Sequence, residues 1–124
     1  MIRTDKKCRI VLADDNATFR QCLRSIFQDQ PSIQIVAESE NGLSAIAKVK
    51  EHRPDVVLMD ITMPLLDGLE ATRIITSLFP GVKVVVISMH EEDFFRKRAF
   101  EVGACRYLSK TSYRAEILEA ILGL

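Results

Sequence analysis

Residues 56–64 read V-V-L-M-D-I-T-M-P, an unbroken apolar run that ends on the carboxylate of Asp60. A run of Val, Leu and Met with no polar alternation suits a parallel strand buried on both faces. An acid placed where such a strand ends lies at the carboxyl edge of a sheet, the edge at which open α/β sheets gather their ligands. Working outward, four more apolar runs of similar length punctuate the chain. The expected strands are Arg9–Ala13, Ile33–Glu38, Asp55–Asp60, Val82–Ser88 and Cys105–Ser109.

Between these runs the apolar rhythm changes to the helical period. Phe19, Cys22, Leu23, Ile26 and Phe27 follow the i, i+3, i+4, i+7, i+8 spacing of one buried helix face. Ala71, Ile74, Ile75 and Leu78 do the same for a third helix, and Ile117, Leu118 and Ile121 for a fifth. Asp67 with Glu70 three residues later resembles a capping box that starts the third helix. Asn41-Gly42 and Pro80-Gly81 read as turns. The fourth helix, about 91–102, is the least regular. Phe94 and Phe95 sit about 100° apart around it and Phe100 on a third direction, so at least one ring is expected in solvent beside Arg96, Lys97 and Arg98.

Strand and helix thus alternate five times. Right-handed crossovers place such helices on both faces of an open parallel sheet. The fold expected is a single doubly wound α/β domain, (βα)5 and flavodoxin-like, with a five-stranded parallel sheet in the order 2-1-3-4-5. That order puts a ligand site at the ends of strands one and three, where the winding reverses.

Composition narrows the class without naming a function. The chain has 124 residues, enough for one core. Lys plus Arg and Asp plus Glu each total 17, so net charge offers no attraction to nucleic acid or to a membrane surface. No apolar run approaches the roughly 20 residues that span a bilayer. Residues 1–7 lack the apolar core of a signal peptide, so they read as an N-terminal tail before a domain at 8–124, with the cytoplasm as the expected compartment. Cys8, Cys22 and Cys105 are too few and too widely spaced for a disulfide framework or a zinc site, and are expected to be small buried residues. His52 and His90 stand isolated in the sequence.

The acids carry the chemistry. Strand one runs into Asp14-Asp15 and strand three into Asp60, so the expected topology delivers three carboxylates to one crevice. Acids at strand ends often do no more than cap the next helix. Capping does not require two strand ends to converge, however. Two unit charges about 4 Å apart repel by roughly 4 kcal/mol at an effective dielectric near 20, so the cluster must take up a proton or a cation. A small all-oxygen site suits Mg²⁺, which keeps several waters and accepts phosphate as a co-ligand. Ser88 at the end of strand four and Lys110 after strand five reach the same edge, offering a hydroxyl and an ammonium to an oxyanion.

With these residues placed, the chain resembles the receiver domains of two-component response regulators over residues 8–122. The motifs are V-L-A-D-D-N at 11–16, V-V-L-M-D-I-T-M-P at 56–64, D-G-L-E-A at 67–71, V-I-S-M-H at 86–90 and G-A-C-R-Y-L-S-K at 103–110. The resemblance implies that Asp60 takes a phosphoryl group from a sensor histidine kinase. It implies Mg²⁺ held by Asp15, Asp60 and the Thr62 backbone carbonyl, with Asp14 acting through a metal-bound water. Lys110 and Ser88 would contact phosphoryl oxygens, and Tyr107 would be the switch aromatic, its ring filling space that Ser88 vacates. From physics alone Tyr107 reads as a half-buried strand residue.

The motif details look most like the NarL/FixJ-type subgroup, whose members join the receiver to a C-terminal helix-turn-helix. DNA would then be reached only through an output domain not in this chain. A homodimer formed on phosphorylation could use the first and fifth helices or the fourth-helix and fifth-strand face. Thr111 stands after Lys110 where many receivers carry proline, which puts the geometry of that loop in doubt. A dehalogenase-type phosphohydrolase would need a second Asp at position 62, which is Thr. No G-x-x-x-x-G-K-[ST] or G-x-G-x-x-G loop is present. A pseudo-receiver would lack one of the acids or the lysine, and a stand-alone receiver acting by protein contacts is the alternative to a transcriptional output.

Overall fold

Successive residues of a strand point to opposite faces of a sheet, and this chain uses both faces as core. In the computed structural model, which describes residues 6–124, Ile10, Leu12, Val56, Leu58, Val85 and Ile87 face one way and pack on Leu23, Ile26, Phe27, Ile117 and Ile121. Their neighbours Val11, Ala13, Val57, Met59, Val84 and Val86 face the other way, onto Ala45, Val49, Ala71, Ile75 and Ala99. Of the tail expected at 1–7, residues 1–5 lie outside the described residues.

The elements alternate as β1 Cys8–Ala13, α1 Ala17–Phe27, β2 Ile33–Ser39, α2 Gly42–His52, β3 Val56–Met59, α3 Gly68–Leu78, β4 Lys83–Ser88, α4 Asp93–Glu101, β5 Arg106–Ser109 and α5 Arg114–Leu122. All strand pairs are parallel and the order is β2-β1-β3-β4-β5, as expected. Helices α1 and α5 cover one face and α2, α3 and α4 the other.

Several local expectations need correction. None of the cysteines is buried: Cys22 is exposed, while Cys8 and Cys105 are half-buried free thiols. Cys22 lies at the margin of the α1 stripe, which is centred on Leu23, Ile26 and Phe27. Leu78, at the last turn of α3, is 63% exposed because Ala71, Thr72 and Ile75 already fill the helix's buried side. The reciprocal capping box at α3 is only half formed. Asp67 Oδ1 accepts from the Glu70 N–H at 2.9 Å, but the Glu70 carboxylate turns to the Arg73 guanidinium instead. On α4, Phe94 and Phe100 are both exposed and Phe95 is half-buried, in line with the irregular pattern of that segment.

Candidate functional site

Register fixes the site. Ala13 of β1 pairs with Met59 of β3, and the Asp60 N–H donates to the Ala13 carbonyl at 2.9 Å. Asp14 N–H donates to the Ser39 carbonyl of β2 at 3.0 Å. The ladder therefore continues one residue past each strand end and releases Asp14 and Asp60 side by side. One carboxylate oxygen from each of Asp14, Asp15 and Asp60 lies within 4.8 Å of the others. Asp14 is 1% and Asp60 5% exposed, whereas Asp15 faces solvent.

Lys110 closes the cluster from β5. Its Nζ stands 2.7 Å from Asp14 Oδ2 and 3.5 Å from Asp60 Oδ1, and lies over the Phe19 ring, 4.6 Å from the centroid. Burial is the largest influence on the Asp60 carboxyl, followed by the charge of Asp14. Together they push its pKa from the ordinary 3.8 up to about 6, against the opposing pull of Lys110. Asp14 Oδ2 is fully buried and faces the Lys110 ammonium at 2.7 Å. Three carboxylates against one ammonium leave surplus negative charge on an all-oxygen cluster, an arrangement that a hard divalent cation and its waters would complete. The residues present fit Mg²⁺.

The segment leading out of β3 is clamped at both ends. Asp67 caps α3, and Gly68, the first helical residue, donates its N–H to the Ile61 carbonyl at 2.7 Å. A Cβ on Gly68 would sit 1.8 Å from the Asp60 carbonyl oxygen, so only glycine lets α3 lie against the Asp60 backbone. Asn41-Gly42 repeats the device. Asn41 caps α2, and the Gly42 N–H donates to the Leu66 carbonyl at 3.0 Å. Both pairs read as local signals in the sequence, a turn and a helix start; their close approach to the segment after Asp60 was not legible there.

Three of the expected site residues, Ser88, Tyr107 and Thr62, share a partner in His90. Ser88 is fully buried at the end of β4, and its hydroxyl accepts from the His90 N–H at 2.9 Å. Tyr107 is 8% exposed, more buried than a strand residue of a half-covered edge should be. Its hydroxyl donates to the His90 carbonyl at 2.5 Å, and the Arg96 guanidinium covers its ring, 5.1 Å from the centroid. Thr62 is exposed, and its Oγ1 lies 3.2 Å from His90 Nε2. His90, isolated in the sequence, is thus the meeting point of Thr62, Ser88 and Tyr107. The available signal was positional: Thr62 and His90 each stand two residues beyond Asp60 and Ser88, which end or follow adjacent strands.

The Thr111 loop has a substitute for a rigid ring. Ser109 Oγ and Thr111 Oγ1 are 2.7 Å apart, the Thr111 N–H donates to Ser109 Oγ, and the Lys110 N–H donates to the Ser88 carbonyl at 2.9 Å. The lysine is held by its own backbone.

Residues 10–122 match the model of the response regulator receiver domain. The chain belongs to that family. It is 37% identical over 117 residues to the transcriptional regulatory protein DegU of Brevibacillus brevis, covering 94% of this chain and 50% of DegU. The signal receiver domain of the response regulator NarL from Mycobacterium tuberculosis superposes with a TM-score of 0.91 at 34% identity, covering 95% of each chain. A LuxR-family two-component response regulator from an Aurantimonas species gives 0.90 at 35% identity, over 95% of this chain and 84% of that one. The NarL-like placement read from the motifs agrees with these relatives. The receiver is a signalling module of two-component systems, related to transcriptional regulators, and it spans about half the length of the curated relatives it matches. No helix among the described residues is long and apolar enough to cross a membrane.

Proposed function

We propose that this receiver is switched by transfer of a phosphoryl group from a sensor histidine kinase to Asp60. The observation that carries this reading is the convergence of Asp14, Asp15 and Asp60 with the Lys110 ammonium at the end of β1 and β3. An Asp60 oxygen attacks the phosphorus, the bond from phosphorus to the kinase imidazole breaks, and an acyl phosphate remains. With a pKa raised to about 6, Asp60 is still mostly ionised at pH 7 and so available as the nucleophile. Its burial beside a like charge makes it a base that gains from losing charge to an incoming group.

Asp15, Asp60 and the Thr62 backbone carbonyl would hold Mg²⁺, with Asp14 acting through a bound water; the cation would offset charge that builds on the phosphoryl oxygens. Lys110 already touches both buried acids and needs only a short swing to reach a phosphoryl oxygen. The Ser88 oxygen accepts from the His90 N–H, which leaves its own hydrogen free to be donated to a phosphoryl oxygen. Tyr107 and α4 then report the change to a partner. That partner is a second copy, through α1 and α5 or through α4 and β5, or a DNA-binding output domain outside this chain.

Incubation with acetyl phosphate and Mg²⁺, read by intact mass, should show one labile phosphoryl adduct per chain. It should be absent without Mg²⁺ and absent in Asp60→Asn. An adduct that survives the Asp60→Asn substitution places the acceptor elsewhere and ends this reading.

A further inference from the structure

His90 joins three of the groups that lie between the acceptor crevice and α4. Its backbone N–H donates to Ser88 Oγ and its carbonyl accepts from the Tyr107 hydroxyl, at 2.9 and 2.5 Å. Its imidazole lies on the Phe95 ring of α4, centroids 4.1 Å apart and planes 24° apart, with Nε2 3.2 Å from Thr62 Oγ1. The ring thereby ties the segment after β3 to the first turn of α4. The peptide groups of the same residue hold both Ser88 and Tyr107.

We infer that the Thr62–His90 side-chain bridge is a positioning device that holds Tyr107 in its buried place before any phosphoryl group arrives. A phenol bonds a backbone carbonyl within a limited range of distance and angle, so the place of the ring depends on where the peptide that carries the carbonyl is held. The segment from Met89 to Glu92 has no helix or strand to fix it: Met89 is 64% exposed, and Glu92 offers α4 no side-chain cap. Beside the His90 N–H bond to Ser88 and the long Ser109–Glu91 contact, the imidazole pinned between Thr62 and Phe95 is its side-chain anchor. Removing either anchor frees the His90 carbonyl and, with it, the Tyr107 hydroxyl. Ser88 meets the same residue from the other side, through the His90 N–H.

The test needs no phosphoryl donor, so it can fail while the reading of Asp60 stands, and the reverse. Fluorotyrosine labelling places two probes, at Tyr107 and Tyr113, and the latter, 80% exposed, is an internal standard for solvent contact. Tyr113→Phe assigns the resonances. In the unmodified protein Tyr107 should report a buried ring. Thr62→Val and His90→Ala should each raise its solvent-exposed fraction by about fivefold, a size that one exposed hydrogen bond can support. Thr62→Ser and His90→Gln, which keep a partner for the bond, should restore most of the buried fraction. The double variant Thr62→Val/His90→Ala should move Tyr107 no further than the larger single change, because both break one link. Thr62 bonds to His90 and not to Tyr107, so a response at Tyr107 is a response through the bridge. A Tyr107 signal that Thr62→Val leaves unmoved, or effects of the two substitutions that simply add, overturns the inference. Equal losses in His90→Gln and His90→Ala would assign the effect to the Phe95 stack and overturn it as well.

Discussion

The corner around Asp60 and the face of α4 are built to opposite standards. At the corner, the backbone on both sides of the acid is bound: Asp60 N–H to Ala13, Gly68 N–H to Ile61, Gly42 N–H to Leu66, with Asn41 and Asp67 capping α2 and α3. On α4 only Ala99 is buried, the helix starts without a side-chain cap, and Phe94 and Phe100 lie in solvent. Chemistry that depends on the placement of carboxylates needs a frame that does not relax. A surface that changes when the chemistry is done must come from the weakly held end of the stability range. The fold separates the two by putting one at the junction of β1 and β3 and the other on a helix with a single buried anchor.

The sharpest way to break the contrast is to spoil the frame. Gly68→Ala would place a methyl 1.8 Å from the Asp60 carbonyl oxygen, a backbone atom that cannot rotate away. Either α3 shifts outward or the turn after β3 opens. The expected loss is about 2–3 kcal/mol in urea unfolding, at the upper end for overpacked sites. A loss under about 0.5 kcal/mol, within the ordinary range of surface substitutions, would mean that the corner can slide and is not the rigid half of the pair.

The acid itself should behave in the opposite sense. Asp60 has its folded pKa raised from 3.8 to about 6, so the folded state binds a proton more tightly than the unfolded chain. Stability from this group is fully present below the unfolded value and is lost as pH rises through the folded one. At pH 7 the charged side chain therefore opposes folding by about 2–3 kcal/mol, since a tenfold difference in proton affinity between the folded and unfolded chain is worth about 1.4 kcal/mol. Asp60→Asn should be more stable than the parent at pH 7 by about 1–3 kcal/mol, and the gain should vanish on approaching pH 4. Parallel urea titrations at the two pH values check both statements. A variant no more stable than the parent at pH 7 would show that Lys110 already neutralises the cluster.

How much of this contrast the sequence carried differs by region, for a physical reason. Strand ends are local: an apolar run that stops at an acid announces both the strand and the carboxylate, which is why Asp14, Asp15 and Asp60 were legible in the sequence alone. Alternation and handedness led to a doubly wound parallel sheet, for which 2-1-3-4-5 was the natural order without being the single one they allow. The role of His90 was not legible, because its partners Thr62 and Tyr107 are brought to it only by the register of β3, β4 and β5, and two of its bonds use backbone atoms that any residue has. Cys22 shows a further blind spot. A helical stripe predicts a centre reliably and its margins poorly, and a residue at the margin faces solvent as readily as core.

The smallest effect belongs on α4, and its smallness is the point. Phe94 is 68% exposed and meets Phe95 edge-on, ring centroids 5.3 Å apart. Phe94→Ala should change global stability by less than about 0.5 kcal/mol, as expected of a solvent-facing position. Amide exchange should separate the regions further. Amides of α4 should exchange by local opening, well before those of β3 and α3, whose exchange should approach the global unfolding limit. If Phe94→Ala instead cost more than about 1 kcal/mol, or if α4 amides were as protected as those of β3, α4 would be part of the frame. The switch would then have to work by tilting a rigid helix, and an exposed ring at its first turn would mark a binding surface that moves as a unit rather than one that forms when its anchors are released.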